Sequence, residues 1–258
     1  MQRIPLSVVV LTKNEEQNIA SCLGSVRDWA DELIVVDDES SDRTLAIVKN
    51  FTSLIFERKM DNEGRHRNWA YAQTKNEWVL SLDADERVSE ELKDEIMATL
   101  QNPSGEAYAI PQRNYIGSYW VRHAGWYPAS KIKLFKKSKF RYEEVEVHPR
   151  AFVEGTTGSL TKDIIHKSYR DFGHYLAKLN RQTTWEAQKW LSTEQGMTRG
   201  RVVRRSVDRF FRSFIGKQGY KDGFIGFMIA FFGSLYQVIS YAKYWEMKNN
   251  QSKTEEPK

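Results

Sequence analysis

The stretch of sequence that decides the fold is Trp78-Val79-Leu80-Ser81-Leu82-Asp83-Ala84-Asp85. Its apolar run is typical of a buried strand and leads directly into two carboxylates, Asp83 and Asp85, separated by one residue. Open α/β sheets bind ligands at the carboxyl ends of their strands, and a hard divalent cation takes one or two protein carboxylates together with phosphate oxygens. The stretch therefore predicts a metal and diphosphate site at a sheet edge. Short acidic pairs also occur in solvated turns, so this prediction depends on the neighbouring sequence.

Two further strand-like segments come before this stretch and indicate a parallel sheet. Residues 6–12 and 33–36 are rich in β-branched side chains, and each is followed by a segment that can form a helix. Strands that alternate with helices at this spacing predict a parallel sheet with right-handed crossovers. The first strand leads into Thr12-Lys13-Asn14-Glu15-Glu16, where a dinucleotide-binding loop would need glycines. The sequence therefore excludes an ordinary NAD site.

Taken in order, these segments resemble glycosyltransferase family 2, a family of inverting enzymes with the GT-A fold. The resemblance covers roughly residues 1–100 and rests on Thr12–Glu16, Val35–Thr44, Arg67–Asn68 and Leu82–Asp85. A narrower resemblance, to bacterial lipopolysaccharide inner-core glucosyltransferases, extends to about residue 190. It rests on Trp29–Glu32, Ser81–Glu86, His123–Pro128, Leu134–Phe135, Val147–His148 and Lys178–Arg181.

The resemblance implies a fold, a donor and a metal. The expected fold class is α/β, a GT-A mixed sheet flanked by helices, with membrane-associating helices at the C-terminal end. The expected donor is a UDP-sugar, held by Thr12, Asn14, Glu15, Asp37, Asp38, Arg67 and Asp83. The expected cofactor is Mg²⁺ or Mn²⁺, held by Asp83, Asp85 and His166. Arginine suits the diphosphate because its charge is fixed.

The middle of the chain is expected to bind the acceptor sugar. Aromatic side chains are dense between residues 115 and 127, and such residues form either core or a platform for a pyranose ring. We expect Trp126, Tyr127 and Arg113 to contact the acceptor. The family often has Asp after Trp-Tyr-Pro and Arg before Leu-Phe, and here Ala129 and Lys133 stand in those places.

An inverting transfer needs a carboxylate that takes the proton of the acceptor hydroxyl. The candidates are Glu146 and Glu144, within Tyr142–Pro149. If this segment is extended, both side chains lie on one face of a strand, and burial beside each other would raise one pKa. The resembled enzymes commonly have an acid after Val-His, where this chain has Pro149. The choice between the two glutamates therefore stays open.

Composition agrees with a cytoplasmic enzyme of one large domain and an appendage. The chain has 258 residues and one cysteine, and its first residues lack the apolar core of a signal peptide. We predict a GT-A domain over residues 1–195, a membrane-association region over 196–247 and a disordered tail over 248–258.

The membrane-association region is predicted from two adjoining segments. On a helical wheel, Val203, Val207, Phe210 and Phe214 fall together, and Arg201, Arg205, Arg209 and Arg212 fall opposite. Residues 223–241 then carry no formal charge, but their length is borderline for a span of roughly 20 residues. We expect an interfacial rather than a spanning helix, on an anionic membrane surface at the cytoplasmic face of the bacterial inner membrane. No nucleic-acid motif accompanies the basic residues.

The sequence as a whole predicts an inverting transferase that moves a hexose, most simply glucose, from a UDP-sugar to a lipid-anchored saccharide such as the lipopolysaccharide inner core. One alternative is a polyprenyl-phosphate glycosyltransferase, whose phosphate nucleophile would need little help from a base. The other is a sugar-binding protein without catalysis, because a fold does not fix a function.

Overall fold

The computed structural model describes residues 5–145, 149–193 and 196–254. Its helices and strands follow in this order along the chain: β1 (Leu6–Thr12), α1 (Ile19–Gly24), β2 (Glu32–Asp37), α2 (Thr44–Val48), β3 (Ile55–Glu57), α3 (Glu63–Ala72), β4 (Trp78–Asp83), β5 (Glu86–Val88), α4 (Glu90–Gln101), β6 (Ala107–Ile110), β7 (Gln112–Ile116), β8 (Tyr119–Trp120), β9 (Lys131–Lys136), β10 (Phe140–Tyr142), β11 (Ala151–Val153), β12 (Thr157–Ser159), β13 (Ile164–Tyr169), α5 (Phe172–Ser192), α6 (Arg199–Phe211) and α7 (Gly223–Thr254). Three short helical turns cover Lys137–Lys139, Arg212–Gly216 and Gly219–Asp222.

The chain divides into two compact units. The first unit comprises Met1–Arg113 and Ala129–Lys167, and the second comprises Asn114–Pro128 and Ser168–Lys258. The predicted boundary at residue 195 is not where this division falls, because α5 packs against α7 and therefore belongs with the C-terminal helices.

The first unit is built on a seven-stranded mixed sheet with the strand order β12-β6-β9-β4-β1-β2-β3. Strand β1 runs parallel to β2 and β4, and β9 runs antiparallel to β4 and β6. Every residue of β2 is buried, as expected for a strand covered on both faces. The predicted α/β class with a mixed sheet is confirmed.

Side chains of the central strands alternate between two apolar cores, as the pleat requires. Val8 and Val10 of β1 pack into the core that includes α1 and α4, whereas Val9 packs into the core that includes Tyr71 of α3. The parallel register sets Thr12 opposite Asp37 and Leu11 opposite Asp83. The carboxyl ends of β1, β2 and β4 therefore meet at one edge of the sheet.

The second unit contains α5, α6 and α7, with α5 and α6 each packed against α7. One apolar cluster joins Val121 and Ala124 to Tyr175, Leu179 and Ile229, and another joins Trp190 and Met197 to Val202 and Tyr244. Helix α7 continues to Thr254, so the residues before 255 do not form the predicted disordered tail. Within the described residues, one helical segment, Gly219–Asn250, is long and apolar enough to cross a membrane. Its mean hydropathy is 1.6.

Helix α6 does not pack its most apolar face against the other helices of the second unit. Val202 and Ser206 are its buried residues, whereas Val203 and Val207 are 60% and 50% exposed. Of the predicted apolar stripe, Val203 and Val207 are therefore exposed, whereas Phe210 and Phe214 are half-buried and pack on Phe227.

Gly64 of α3 gives a direct test of the packing in the first unit. A Cβ at this position would lie 1.8 Å from the backbone oxygen of Glu143, which cannot move without its loop. Gly64→Ala should lower the free energy of unfolding by about 1–3 kcal/mol, the usual cost of overpacking. The measurement is denaturant unfolding of the purified protein.

Gly24→Ala is the matched control, because the new Cβ would have its nearest neighbour, Phe51, at 4.0 Å. Alanine is also the better helix former, so this variant should be as stable as the parent or slightly more so. Equal stability of the two variants would contradict the close approach of α3 to the Glu143 loop.

Candidate functional site

A cavity of about 290 Å³ opens at the edge where β1, β2 and β4 end. Its lining includes six residues singled out from the sequence: Thr12, Glu15, Asp38, Arg67, Asp83 and Asp85. Lys13, Met60, Glu63 and His66 also line it, and none of these was assigned a role from the sequence. The cavity thus combines carboxylates with fixed cations at a sheet edge, a place where α/β proteins bind ligands.

Asp83 is clamped between two cations. Its Oδ1 accepts a hydrogen bond from Nη2 of Arg67 at 3.0 Å, and its Oδ2 accepts one from Nζ of Lys133 at 3.1 Å. Burial alone would raise the pKa of Asp83, but Arg67 and then Lys133 hold it well below its usual range. Asp83 is therefore a carboxylate at neutral pH.

Lys133 joins this clamp to a second buried acid. Its Nζ also donates to Oε2 of Glu86 at 2.6 Å, and Glu86 is fully buried. The same Glu86 carboxylate accepts the backbone N–H of Asp83 at 2.8 Å. Burial would lower the pKa of Lys133, but the carboxylates of Asp83 and Glu86 raise it. Lys133 stands where the family often has Arg. A cation at this position could have indicated, from the sequence alone, that Lys133 belongs to the site.

Asp37 and Asp38 have different positions although they are adjacent. Asp37 is fully buried, and its carboxylate accepts hydrogen bonds from the backbone N–H and hydroxyl of Ser40 at 2.7 and 2.6 Å. Asp38 lines the cavity and accepts from Nζ of Lys13 and the backbone N–H of Met60. These contacts hold the pKa of Asp38 below its usual value in spite of burial.

Asn14 supports the rim of the cavity without lining it. Its Oδ1 accepts the backbone N–H of Ser41 at 2.8 Å, and its own N–H donates to Oγ of Ser40. With Asp37, it therefore shapes the loop after β2. The expected contact of Asn14 and Asp37 with the donor stays a prediction.

Thr12 presents a hydroxyl without a partner. Its Oγ1 is buried and makes no hydrogen bond to any other described residue. Because a buried polar group without a partner is costly, such a group at a cavity wall is suited to contact a ligand.

His66 is a buried imidazole in the cavity wall. Nη1 of Arg58 donates to its Nδ1 at 2.8 Å, which leaves the ring proton on Nε2. Burial and then the charge of Arg58 lower the pKa of His66, so it is neutral at pH 7. A lone histidine in a helix gave no sequence signal for this position.

Asp85 and His166 lie close enough to share a divalent cation. Oδ2 of Asp85 is 3.3 Å from Nε2 of His166. Adjacent ligands of an octahedral ion bound at about 2.1 Å are about 3.0 Å apart, so the pair fits two neighbouring positions. No group of three or more potential ligands is present in the part of the chain that the structure describes, and both oxygens of Asp83 already contact cations. Phosphate oxygens and water would have to fill the other positions, as Mg²⁺ prefers.

The predicted strand with the candidate base ends early. Strand β10 stops at Tyr142, and Glu144 follows in an irregular segment with a side chain that is 55% exposed. The Glu144 carboxylate pairs with Nε of Arg65 at 3.3 Å. The expectation of a buried, extended Glu144 is therefore wrong, because the chain leaves the sheet before reaching it. Glu146 lies outside the described residues.

The predicted acceptor residues have different surroundings. In the first unit, Arg113 pairs with the buried Asp163 at 2.6 Å. In the second unit, Trp126 is partly buried and packs with Tyr169 and Tyr175 beside an apolar cluster. Tyr127 lines a separate cavity in that unit.

Comparisons with known proteins agree with this geometry. The family model described as glycosyl transferase family 2 matches residues 7–162, which is more than half of the chain. An uncharacterised glycosyltransferase of Rickettsia bellii is 24% identical over 94% of this chain and 86% of its own length. The lipopolysaccharide core biosynthesis glycosyltransferase LpsC of Rhizobium meliloti is 24% identical over 95% of this chain and 93% of its own length.

A solved structure supports the fold. The mannosyltransferase of Pyrobaculum calidifontis, in complex with GDP-Man and Mn²⁺, is similar with a TM-score of 0.52 at 13% identity, over 95% of this chain and 88% of that one. At this identity the likeness shows the fold alone, which is the fold expected from the resemblance. With the sheet-edge site and the family match taken together, the chain belongs to glycosyl transferase family 2 and is a glycosyltransferase.

Proposed function

We propose that this chain is an inverting transferase that moves a hexose, most simply glucose, from a UDP-sugar to a lipid-anchored saccharide such as the lipopolysaccharide inner core. The observation that carries the proposal is the cavity where β1, β2 and β4 end, with its paired acids and cations. The similarity to LpsC, which is named for lipopolysaccharide core biosynthesis, supports the acceptor class. The mannosyltransferase that binds GDP-Man and Mn²⁺ supports a nucleotide-sugar donor and a divalent metal.

In this proposal, different residues of the cavity bind different parts of the donor. We assign Asp38 and Thr12 to the nucleoside, because both line the cavity and the Thr12 hydroxyl has no partner among the described residues, and Glu15 lines the same cavity. Arg67, fixed by Asp83, presents its guanidinium to the diphosphate. Asp85 and His166 would hold Mg²⁺ or Mn²⁺, which offsets negative charge on the leaving diphosphate when bound.

The acceptor hydroxyl attacks the anomeric carbon as the bond to the diphosphate breaks, and a carboxylate takes the hydroxyl proton. Glu146 and Glu144 are our candidates for this base, and Arg113, Trp126 and Tyr127 for the acceptor surface. An inverted anomer, here the β-glycoside, follows from the single displacement.

We also propose attachment to the anionic cytoplasmic face of the bacterial inner membrane, as a peripheral or monotopic protein. In the second unit, exposed apolar side chains include Val203, Val207 and Phe211 of α6 and Phe224, Phe227 and Phe231 of α7. Arginines 199, 201, 204, 209 and 212 are exposed nearby in sequence. Apolar burial and attraction to anionic lipid together favour an interfacial position.

One observation favours a second candidate, a polyprenyl-phosphate glycosyltransferase. Glu144 is exposed and paired with Arg65 rather than buried beside another acid. A phosphate acceptor is already ionised and needs little assistance from a base.

The proposed function is tested by incubating the purified protein with UDP- and GDP-sugars, Mn²⁺ and two acceptors, a truncated inner-core lipopolysaccharide and a polyprenyl phosphate. Transfer of glucose from UDP-glucose to the saccharide, with inversion, is the expected result. Transfer to polyprenyl phosphate alone would establish the second candidate instead.

Asp85→Asn should lower turnover about 10²–10³-fold, because the neutral amide no longer offers a charged ligand to the proposed cation. EDTA should abolish transfer by the parent enzyme, and Mn²⁺ should restore it. Turnover is measured as release of nucleoside diphosphate.

Asp94→Asn, on the exposed face of α4, is the matched control and should keep the parent rate. A full rate in the EDTA-treated parent with no metal added would show that the metal assignment is wrong.

Glu146→Gln and Glu144→Gln separate the two candidate bases. The variant that loses the base should lose about 10²–10⁴-fold in turnover with little change in donor affinity, because glutamine keeps the size but not the basicity. Steady-state kinetics with saturating donor give both quantities. Near-normal rates in both variants would show that neither glutamate is the base. Another residue would then be the base, or the acceptor would be a phosphate.

A further inference from the structure

The second unit contains a cationic cavity that is separate from the carboxylate site. It has a volume of about 400 Å³, and its wall includes Arg122, His123, Tyr127, Lys217 and Gln218. Its lining, all within the described part of the chain, includes no acidic residue. Two side chains with fixed positive charge at one concave surface are suited to an anion with several oxygens, such as a phosphate group.

A buried carboxylate holds one wall of this cavity in place. Asp222 is buried, and its Oδ2 accepts the backbone N–H groups of His123 at 2.8 Å and Arg122 at 3.2 Å. Its Oδ1 lies 3.0 Å from Nδ1 of His123 and 3.3 Å from the hydroxyl of Tyr119. Because Asp222 makes all of these contacts, it holds the backbone of Arg122 and His123 in place.

The opposite wall is joined to the same loop by backbone contacts. The N–H of Ala124 donates to the carbonyl of Lys217 at 2.9 Å, and Oγ of Ser213 donates to the carbonyl of Ala124. Gly219 is packed so closely that a Cβ would lie 3.2 Å from Cβ of Ala124. The guanidinium of Arg122 is also held, 4.6 Å above the ring of Trp120. The cations therefore sit on a rigid frame, which lowers the cost of ordering them around a ligand.

Exposed apolar side chains come just before and just after the Gly216–Gln218 wall in the sequence. Ile215 precedes the Gly216–Gln218 wall and is 55% exposed, and Tyr220 follows it and is 49% exposed. Phe224, at the start of α7, is 69% exposed. A cationic cavity whose wall is flanked in sequence by exposed apolar side chains suits a molecule with a phosphate head and hydrocarbon chains.

We propose that this cavity binds the phosphate headgroup of an anionic membrane lipid, with the acyl chains against Ile215, Tyr220 and Phe224. The proposal rests on the membrane attachment proposed above and adds a defined headgroup site to it. Arg122 and Lys217 donate hydrogen bonds to the phosphate oxygens, and Asp222 is a positioning residue that fixes the loop.

The test is a calorimetric titration of the full chain with dihexanoyl phosphatidic acid below its micelle concentration. The parent should bind it saturably. Arg122→Ala/Lys217→Ala should weaken binding about a hundredfold, because each charge-assisted hydrogen bond that is lost is worth about tenfold. Lys49→Ala/Lys162→Ala removes the same charge from exposed positions of the first unit and should leave the affinity unchanged.

Absence of saturable binding by the parent, or equal weakening in both double variants, would overturn the headgroup site. Inorganic phosphate is titrated in parallel and should bind at least tenfold more weakly than the lipid. Equal affinity would overturn the lipid assignment and leave a site for free phosphate. If the pocket variant melts at a lower temperature than the parent, Lys217→Ala alone is used, because Lys217 is exposed and its removal spares the loop that Asp222 holds.

Vesicle sedimentation separates this proposal from the membrane attachment on which it rests. The parent should sediment with phosphatidylcholine vesicles that contain phosphatidylglycerol and less with vesicles of phosphatidylcholine alone. Sedimentation without short-chain lipid binding would overturn the pocket and leave attachment intact. A parent that does not sediment with either vesicle would overturn attachment and the lipid as the source of the phosphate.

Discussion

The clamp of Asp83 between Arg67 and Lys133 is the interaction on which the site depends. It ties the end of β4 to helix α3 through Arg67 and to strand β9 through Lys133. Glu86 extends it, because this buried acid accepts both Lys133 and the backbone of Asp83. Lys133 and Glu86 are buried, and a buried charge that loses its partner costs several kcal/mol, so each of these two depends on the other. The clamp thus fixes the direction of the turn that carries Asp85 towards His166.

Much of the fold was predictable because it depends on local patterns. The apolar runs of β1, β2 and β4 and the helices between them specify a parallel sheet, and the acids at the strand ends specify one edge. The sequence also indicated that Asp38, Asp83 and Asp85 lie at this edge, and all three line the cavity, but it did not separate them from Asp37, which is turned into the loop after β2. That last difference depends on hydrogen bonds from Ser40, which spacing alone does not reveal.

The features that could not be predicted depend on contacts between distant segments. Lys133 of β9 and Glu86 of β5 are far apart in sequence, and the pKa of His66 is lowered by burial and by the charge of Arg58, which contacts it only in the folded chain. The exposure of Glu144 was missed for a related reason, since β10 ends at Tyr142 while period-2 alternation continues in the sequence. In α6, Val202 and Ser206 are buried rather than Val203 and Val207, because Val202 packs against Trp190 of α5 and Tyr244 of α7.

The central claim is that the edge formed by β1, β2 and β4 binds a nucleoside diphosphate together with a divalent cation. Calorimetric titration of the full chain with UDP, in Mn²⁺ and then in EDTA, tests it most directly. We expect one saturable site per chain in Mn²⁺ and an affinity at least about tenfold weaker in EDTA, since the cation would be held by protein carboxylate and phosphate together. Absence of saturable binding of UDP and GDP under both conditions, by folded protein, would contradict it.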